Sequence, residues 1–352
     1  MRLSMRLPLI LSVLIALTMT NDLAQADVSF RDKSITMLVG APPGGGTDIA
    51  GRAIARFLGK YLPGNPNIIV QNMPGANGIT AMNHFARQTK PDGLTVIMGS
   101  VSILDPVTSR NANAQYDLRT VRMAGGLGRG GSIFFISKTG EARLHDKSLP
   151  PAIIGNVGAL PRAGLQPAVW SIEYLGWNAK WVAGYPGTDQ LMLALDRGEV
   201  DMGSTGNILL IKDRMDHGRV NVVFQTSSIE GGKIVGRPDF GNAPTFLEQM
   251  QGKITDPIAQ KAFDYWMALS SVDKWLALAP GTPDDILAAY REAFRKFSID
   301  QDFLELGDKI SDGMEAIEGS DVENFAKILA ETPTEALGYV TELMRRQGLR
   351  VQ

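Results

Sequence analysis

From residue 35 onward, short apolar runs alternate with longer stretches whose apolar residues recur every three or four positions. Ile35-Thr36-Met37-Leu38-Val39 is a strand pattern closed by Gly40. After the loop 41–48 comes a helical pattern, with Ile49, Ala53 and Phe57 on one stripe and Ile54 and Leu58 beside it, ended by Leu62-Pro63-Gly64. Ile68-Ile69-Val70 is a second strand, running into the loop "MPGANG" at 73–78. A helix over about residues 79–88, the turn Pro91-Asp92-Gly93 and a strand over 94–98 follow. Strand, helix, strand, helix, strand predicts a parallel sheet joined by crossovers.

From about Val121 the rhythm changes. Strand patterns at 121–125 and 133–136 flank the glycine-rich stretch 125–131, which reads as a passage into a second lobe. That lobe is expected to hold strands at 152–154, 180–182, 200–202 and 220–224, with helices over 165–175 and 188–197. The remainder reads as mostly helical. Ile286, Tyr290, Phe294 and Phe297 share one face, as do Val322, Phe325 and Leu329 before a break at Pro333. The expectation is lobe 1 from 27–125 plus 225–352 and lobe 2 from 126–224.

Residues 1–26 have the pattern of an export leader. Arg2 and Arg6 precede a 13-residue apolar run, 7–19, and Ala24-Gln25-Ala26 supplies a small-x-small cleavage pattern. A run of that length falls short of a bilayer-spanning helix, so cleavage after Ala26 and release into the periplasm are expected, without stable membrane insertion. The absence of cysteine excludes disulfides, thiolate metal sites, a thiol nucleophile and a lipid-anchored start. Loss of the leader moves the formal net charge from −2 to −3, which gives no support for a nucleic-acid partner. Selectivity for an anion must then come from a local site.

The strongest local signal is the loop 41–48. Gly44, Gly45 and Gly46 between a strand and a helix let backbone N–H groups face a carboxylate or phosphate at the helix N-terminus. The same glycines also suit a tight turn with no ligand, and either Thr47 or Asp48 suits the N-cap. The loop is neither a nucleotide P-loop, because Gly46 stands where the lysine belongs, nor a dinucleotide fingerprint. His84, His145 and His217 have no metal-ligand spacing, and Gly203-Ser204-Thr205-Gly206 is not a nucleophile elbow. No cofactor or metal is expected. An exported carboxylate-processing enzyme would have to use Asp48 or Asp189 as its base.

The run "ITMLVGAPPGGGTDIAGRAIARFLGKYLPGNPNIIVQNMPGANG", then "PDGLTVIMGS", "VAGYPGTDQLMLALDRGEVDM", "RPDFGNAPTFLE" and "LALAPGTPDDILAAYREAF", resembles the substrate-binding receptors of tripartite tricarboxylate transporters, the Bug family. The resemblance implies a type II periplasmic-binding-protein fold: two α/β lobes, each a mostly parallel sheet flanked by helices, with the ligand cleft between them. It implies no enzymatic activity, a small di-, tri- or aromatic carboxylate as ligand, and the membrane permease subunits of a transporter as partners; a sensor partner shares the same cleft. A monomer is expected. By motif, the first-lobe contacts would be Gly44, Gly45, Gly46, Thr47 and Asp48, with Asn77, Ser100 and Ser102. From the second lobe the motif positions are Asn156 and Gly158, then Tyr185, Gly187 and Thr188, with Thr205 in "DMGSTGN". The segment "IIGNVGALPRAG" departs from the family's hydroxyl-rich loop, and its Arg162 would suit a second carboxylate or a solvated helix start. Segment 137–150 lacks a clear version of the family's helix. Trp170, Trp177 and Trp181 suit either core or an aromatic platform.

Overall fold

A computed structural model describes residues 28–351 apart from 129, 158–160, 162–164, 186, 227, 231–232 and 311–313. The leader therefore lies outside the described residues. The first four strands are β1 (Ser34–Val39), β2 (Asn67–Asn72), β3 (Thr95–Ser100) and β4 (Arg122–Gly128). Helix α1 (Gly46–Tyr61) and helix α2 (Ile79–Gln88) make the crossovers between β1, β2 and β3. Next come β5 (Ile133–Ser137), β6 (Ala152–Val157), β7 (Ala179–Tyr185), β8 (Met202–Thr205) and β9 (Val220–Gln225). A small hairpin, β10 (Ser228–Glu230) and β11 (Lys233–Val235), precedes β12 (Lys274–Leu278) and β13 (Glu315–Glu318).

Two sheets result, in the orders β13-β4-β12-β3-β1-β2 and β7-β6-β8-β5-β9. The fold is that of type II periplasmic binding proteins, but both sheets are mixed. β1 is parallel to β2 and β3, whereas β12 runs antiparallel to β3 and β4 and β13 antiparallel to β4. In the second sheet β6 is parallel to β7 and β8, and β5 runs against β8 and β9. β12 and β13 fall in the tail read as helical. A five-residue apolar run between helices carries no period that separates strand from buried helix.

The first sheet is covered on both faces. Phe57 and Leu58 of α1 and Tyr290, Phe294 and Phe297 of helix Asp284–Ser298 fill one side. Met82 and Phe85 of α2 and Phe325 and Leu329 of helix Gly319–Glu331 fill the other. The stretch 125–131 is not all crossover. Gly125 and Gly126 lie inside β4, where an added Cβ would stand 2.5 Å from the Phe294 ring and 2.7 Å from Val322. The passage between sheets is confined to 129–132.

The second sheet's core includes Phe134, Trp170, Trp177 and Phe224, so these two tryptophans are packing residues. Trp181 packs beside them and donates from Nε1 to Gln347 Oε1 at 3.1 Å. The same core takes in Phe246, Phe263, Trp266 and Leu343, from the tail assigned by sequence to lobe 1. Helix Pro257–Ser271 thus serves two cores, because its Tyr265 and Ala268 pack under the first sheet. Segment 137–150 does contain a helix, Lys138–Leu144, capped by the Ser137 hydroxyl accepting from the Gly140 N–H.

Candidate ligand-binding site

At the carboxyl end of β1 the chain turns through Gly44, whose φ of +79° suits glycine, and enters α1 at Gly46. The N-cap is Gly45, not Thr47 or Asp48, and no side chain caps the helix. Among the described residues, the Gly46 and Thr47 N–H groups therefore have no protein acceptor, and they sit at the positive end of the α1 dipole. A Cβ at Gly44 or Gly46 would meet nothing within 4 Å.

Asp48 is not available to a ligand. It is 2 % exposed, and its carboxylate accepts from the Gly44 N–H (2.8 Å), Arg52 Nε (3.0 Å) and Asn72 Nδ2 (2.8 Å). Asn72 also donates to the Ala41 carbonyl, so β2 braces the loop from beneath. The Arg52 guanidinium, aided by the Gly44 N–H and the Asn72 amide, draws the Asp48 pKa down to about 2 against the cost of burial. Its role is to hold the glycine loop, and it cannot serve as a base near neutrality. The sequence placed it among the ligand contacts because its partner Asn72 lies 24 residues away, beyond any local pattern.

The loop after β2 is a run of left-handed residues: Gly75, Ala76, Asn77 and Gly78 all have positive φ, with Asn77 at 54°. Gly78 packs against Gly40, where a Cβ would lie 3.1 Å from the Gly78 Cα, and so joins the β1 and β2 loops. Gly40 and Gly78 are site-building residues absent from the sequence-level set. After β3, the Ser100 and Ser102 hydroxyls share a hydrogen bond of 2.6 Å. The three loops enclose a cavity of about 360 Å³ lined by Thr47, Asn77, Ser100 and Ser102 among others, with no charged side chain in its lining.

The second-lobe candidates lie along the carboxyl ends of β6, β7 and β8. Asn156 is buried in β6, and Gly158 and Arg162 lie outside the described residues. Tyr185 ends β7 and packs against the cluster around Phe135 and Leu191. Gly187 is the N-cap of helix Thr188–Asp196, again with no side-chain cap, and Thr188 opens that helix. Thr205 belongs to β8, and its hydroxyl accepts from the Asn207 N–H at 3.1 Å, a local turn. None of the described residues in this second-lobe set lines the first-lobe cavity.

The two sets are joined through a short passage. β4 ends at Gly128 and β5 begins at Ile133, opposite Thr205 at the end of β8. The carboxyl edges of the two sheets are therefore linked directly. Thr226, in the return crossover, donates its N–H to the Ser132 carbonyl (2.7 Å) and accepts the Ser132 N–H on its hydroxyl (2.6 Å).

No family model matches the chain. Protein BugT of Bordetella pertussis is 38% identical over 74 residues, 21% of this chain and 22% of BugT. A UPF0065 protein of Cupriavidus necator is 41% identical over 73 residues, 21% of each chain. These matches span about a fifth of the curated relatives' length. The crystal structure of a TctC solute binding protein from Polaromonas, with no ligand, superposes with a TM-score of 0.59 at 20% identity, covering 90% of this chain and 100% of that one. Over these short segments the chain is similar to Bug and UPF0065 proteins, and it shares its fold with a TctC solute binding protein. Thr47, Asn77 and the serine pair line one cavity, Gly44, Gly45 and Gly46 are not part of that lining, and Asp48 accepts from the Gly44 N–H beside it.

Proposed function

We propose that this protein is a periplasmic solute receptor that captures a small organic carboxylate between its lobes and delivers it to the permease subunits of a tripartite transporter. One observation carries the reading: a cavity with no charged side chain in its lining takes in Thr47, in the first turn of α1, whose N–H has no acceptor among the described residues. Such a site holds an anion by oriented dipoles and hydroxyl donors, whose hydrogen bonds to a charged acceptor are the strong kind. Ser100, Ser102, Thr47 and Asn77 supply the polar contacts on this side. Gly187 and Thr188, at a second helix N-terminus left uncapped by a side chain, would close on the ligand from the other lobe.

The reading also accounts for the fate of Asp48. Ion-paired and buried, it shapes the loop and offers no free base to an enzymatic mechanism. Export by the leader and release after Ala26 belong to the same proposal. The test is thermal unfolding of ligand-stripped protein with a panel of mono-, di- and tricarboxylates. A true ligand at one hundred times its Kd stabilises the protein by about 2.7 kcal/mol. If every organic anion leaves the transition unmoved, the proposal fails.

A further inference from the structure

A second cavity, of about 330 Å³, lies where the two lobes and both crossovers meet. Gly131, Ser132 and Thr226 contribute from the crossovers, Val272, Ile317 and Phe325 from the first lobe. Gln166 and Phe246 come from the second lobe, and Trp266 and Met267 from the helix that both cores share. Its size falls at the lower end of small-molecule sites, roughly 300–1,000 Å³.

The chemistry of this lining differs from that of the carboxylate cavity. Its walls are largely aromatic and aliphatic, and among the described lining residues there is no Lys, Arg or His. The ionisable groups on the wall are the carboxylates of Asp273, ion-paired with Lys274 at 2.9 Å, and Glu315, so the described lining offers an anionic guest no cationic partner. Besides the Ser132 and Ser270 hydroxyls, the lining offers the amide of Gln166 as a donor. Gln166 Oε1 accepts from Trp266 Nε1 at 3.0 Å, which fixes the orientation of the amide and leaves its NH2 group without an acceptor among the described residues.

We infer that this cavity is a second ligand site, separate from the carboxylate site, for a small neutral molecule with an aromatic or aliphatic body and one hydrogen-bond acceptor. The body fills the space between Phe246, Trp266 and Phe325, and the acceptor meets Gln166 Nε2. Because the walls belong to both lobes, an occupant favours the lobe arrangement that fits it. Its binding and that of the carboxylate are then reciprocally coupled.

The experiment is ligand-observed NMR on the mature protein with acetophenone as probe and ethylbenzene as its counterpart lacking an acceptor. Leu269→Trp puts bulk into the cavity, and Gln166→Glu keeps the acceptor for Trp266 while removing the NH2 donor. Acetophenone is expected to bind the parent protein, to weaken roughly three- to tenfold in Q166E, and to be lost in L269W. Ethylbenzene is expected to change less than acetophenone in Q166E. No acetophenone binding to the parent protein overturns the inference, and so does binding that Q166E leaves unchanged, which needs no change of fold to interpret.

Discussion

Asp48 shows how a residue predicted to be a ligand contact can instead hold the shape of its own loop. Removing its carboxylate leaves the Gly44 N–H, Asn72 and Arg52 without their shared acceptor. Asp48→Ala is expected to cost roughly 1–3 kcal/mol, since hydrogen bonds to a buried charge are at stake; half-exposed Arg52 keeps the figure toward the lower end. The folded pKa is about 2 against an ordinary 3.8, so this stabilisation is complete above about pH 4 and is lost as the pH falls through 2. Denaturant unfolding of parent and variant across pH 2–6 checks this: the gap between them should close toward pH 2, and a gap independent of pH counts against the ion-paired brace. The glycines at 44–46, Asn77 and the serines were legible as loop residues because turn chemistry is local. The Asp48–Asn72 bond was not, because it forms only once β1 and β2 lie side by side.

The alternating elements from β1 to β3 were legible because each strand and helix there shows its own period. β12 was hidden in the middle of its sheet, covered on both faces and therefore apolar at nearly every position. Its Trp275 lies opposite Gly99 of β3 and covers it, so that a Cβ at Gly99 would fall 2.1 Å from the indole. The indole also donates to the Ser100 carbonyl at 3.0 Å, tying strand packing to the serine turn of the site. Gly99→Ala is expected to destabilise by about 1–3 kcal/mol through overpacking and to weaken carboxylate binding as the Ser100 turn shifts. Chemical denaturation and titration with an identified ligand measure the two effects. A variant as stable and as tight-binding as the parent would show that this pair is not tightly fitted.

At the scale of the molecule, sequence reading found two α/β lobes but drew the division from chain order. The apolar stripes of the tail say that its helices are buried, not which sheet they cover. Helix Pro257–Ser271 sets Phe263 and Trp266 into one core and Tyr265 and Ala268 into the other. Neither core is complete without that helix, so the lobes share their stability and cannot melt in turn. Heating should give one calorimetric peak whose van't Hoff and calorimetric enthalpies agree, and two resolved peaks would show that each lobe stands alone. In the proposed receptor, opening and closing would proceed with the helix anchored at both sides, by sliding along one of its faces, a shear motion as much as a hinge.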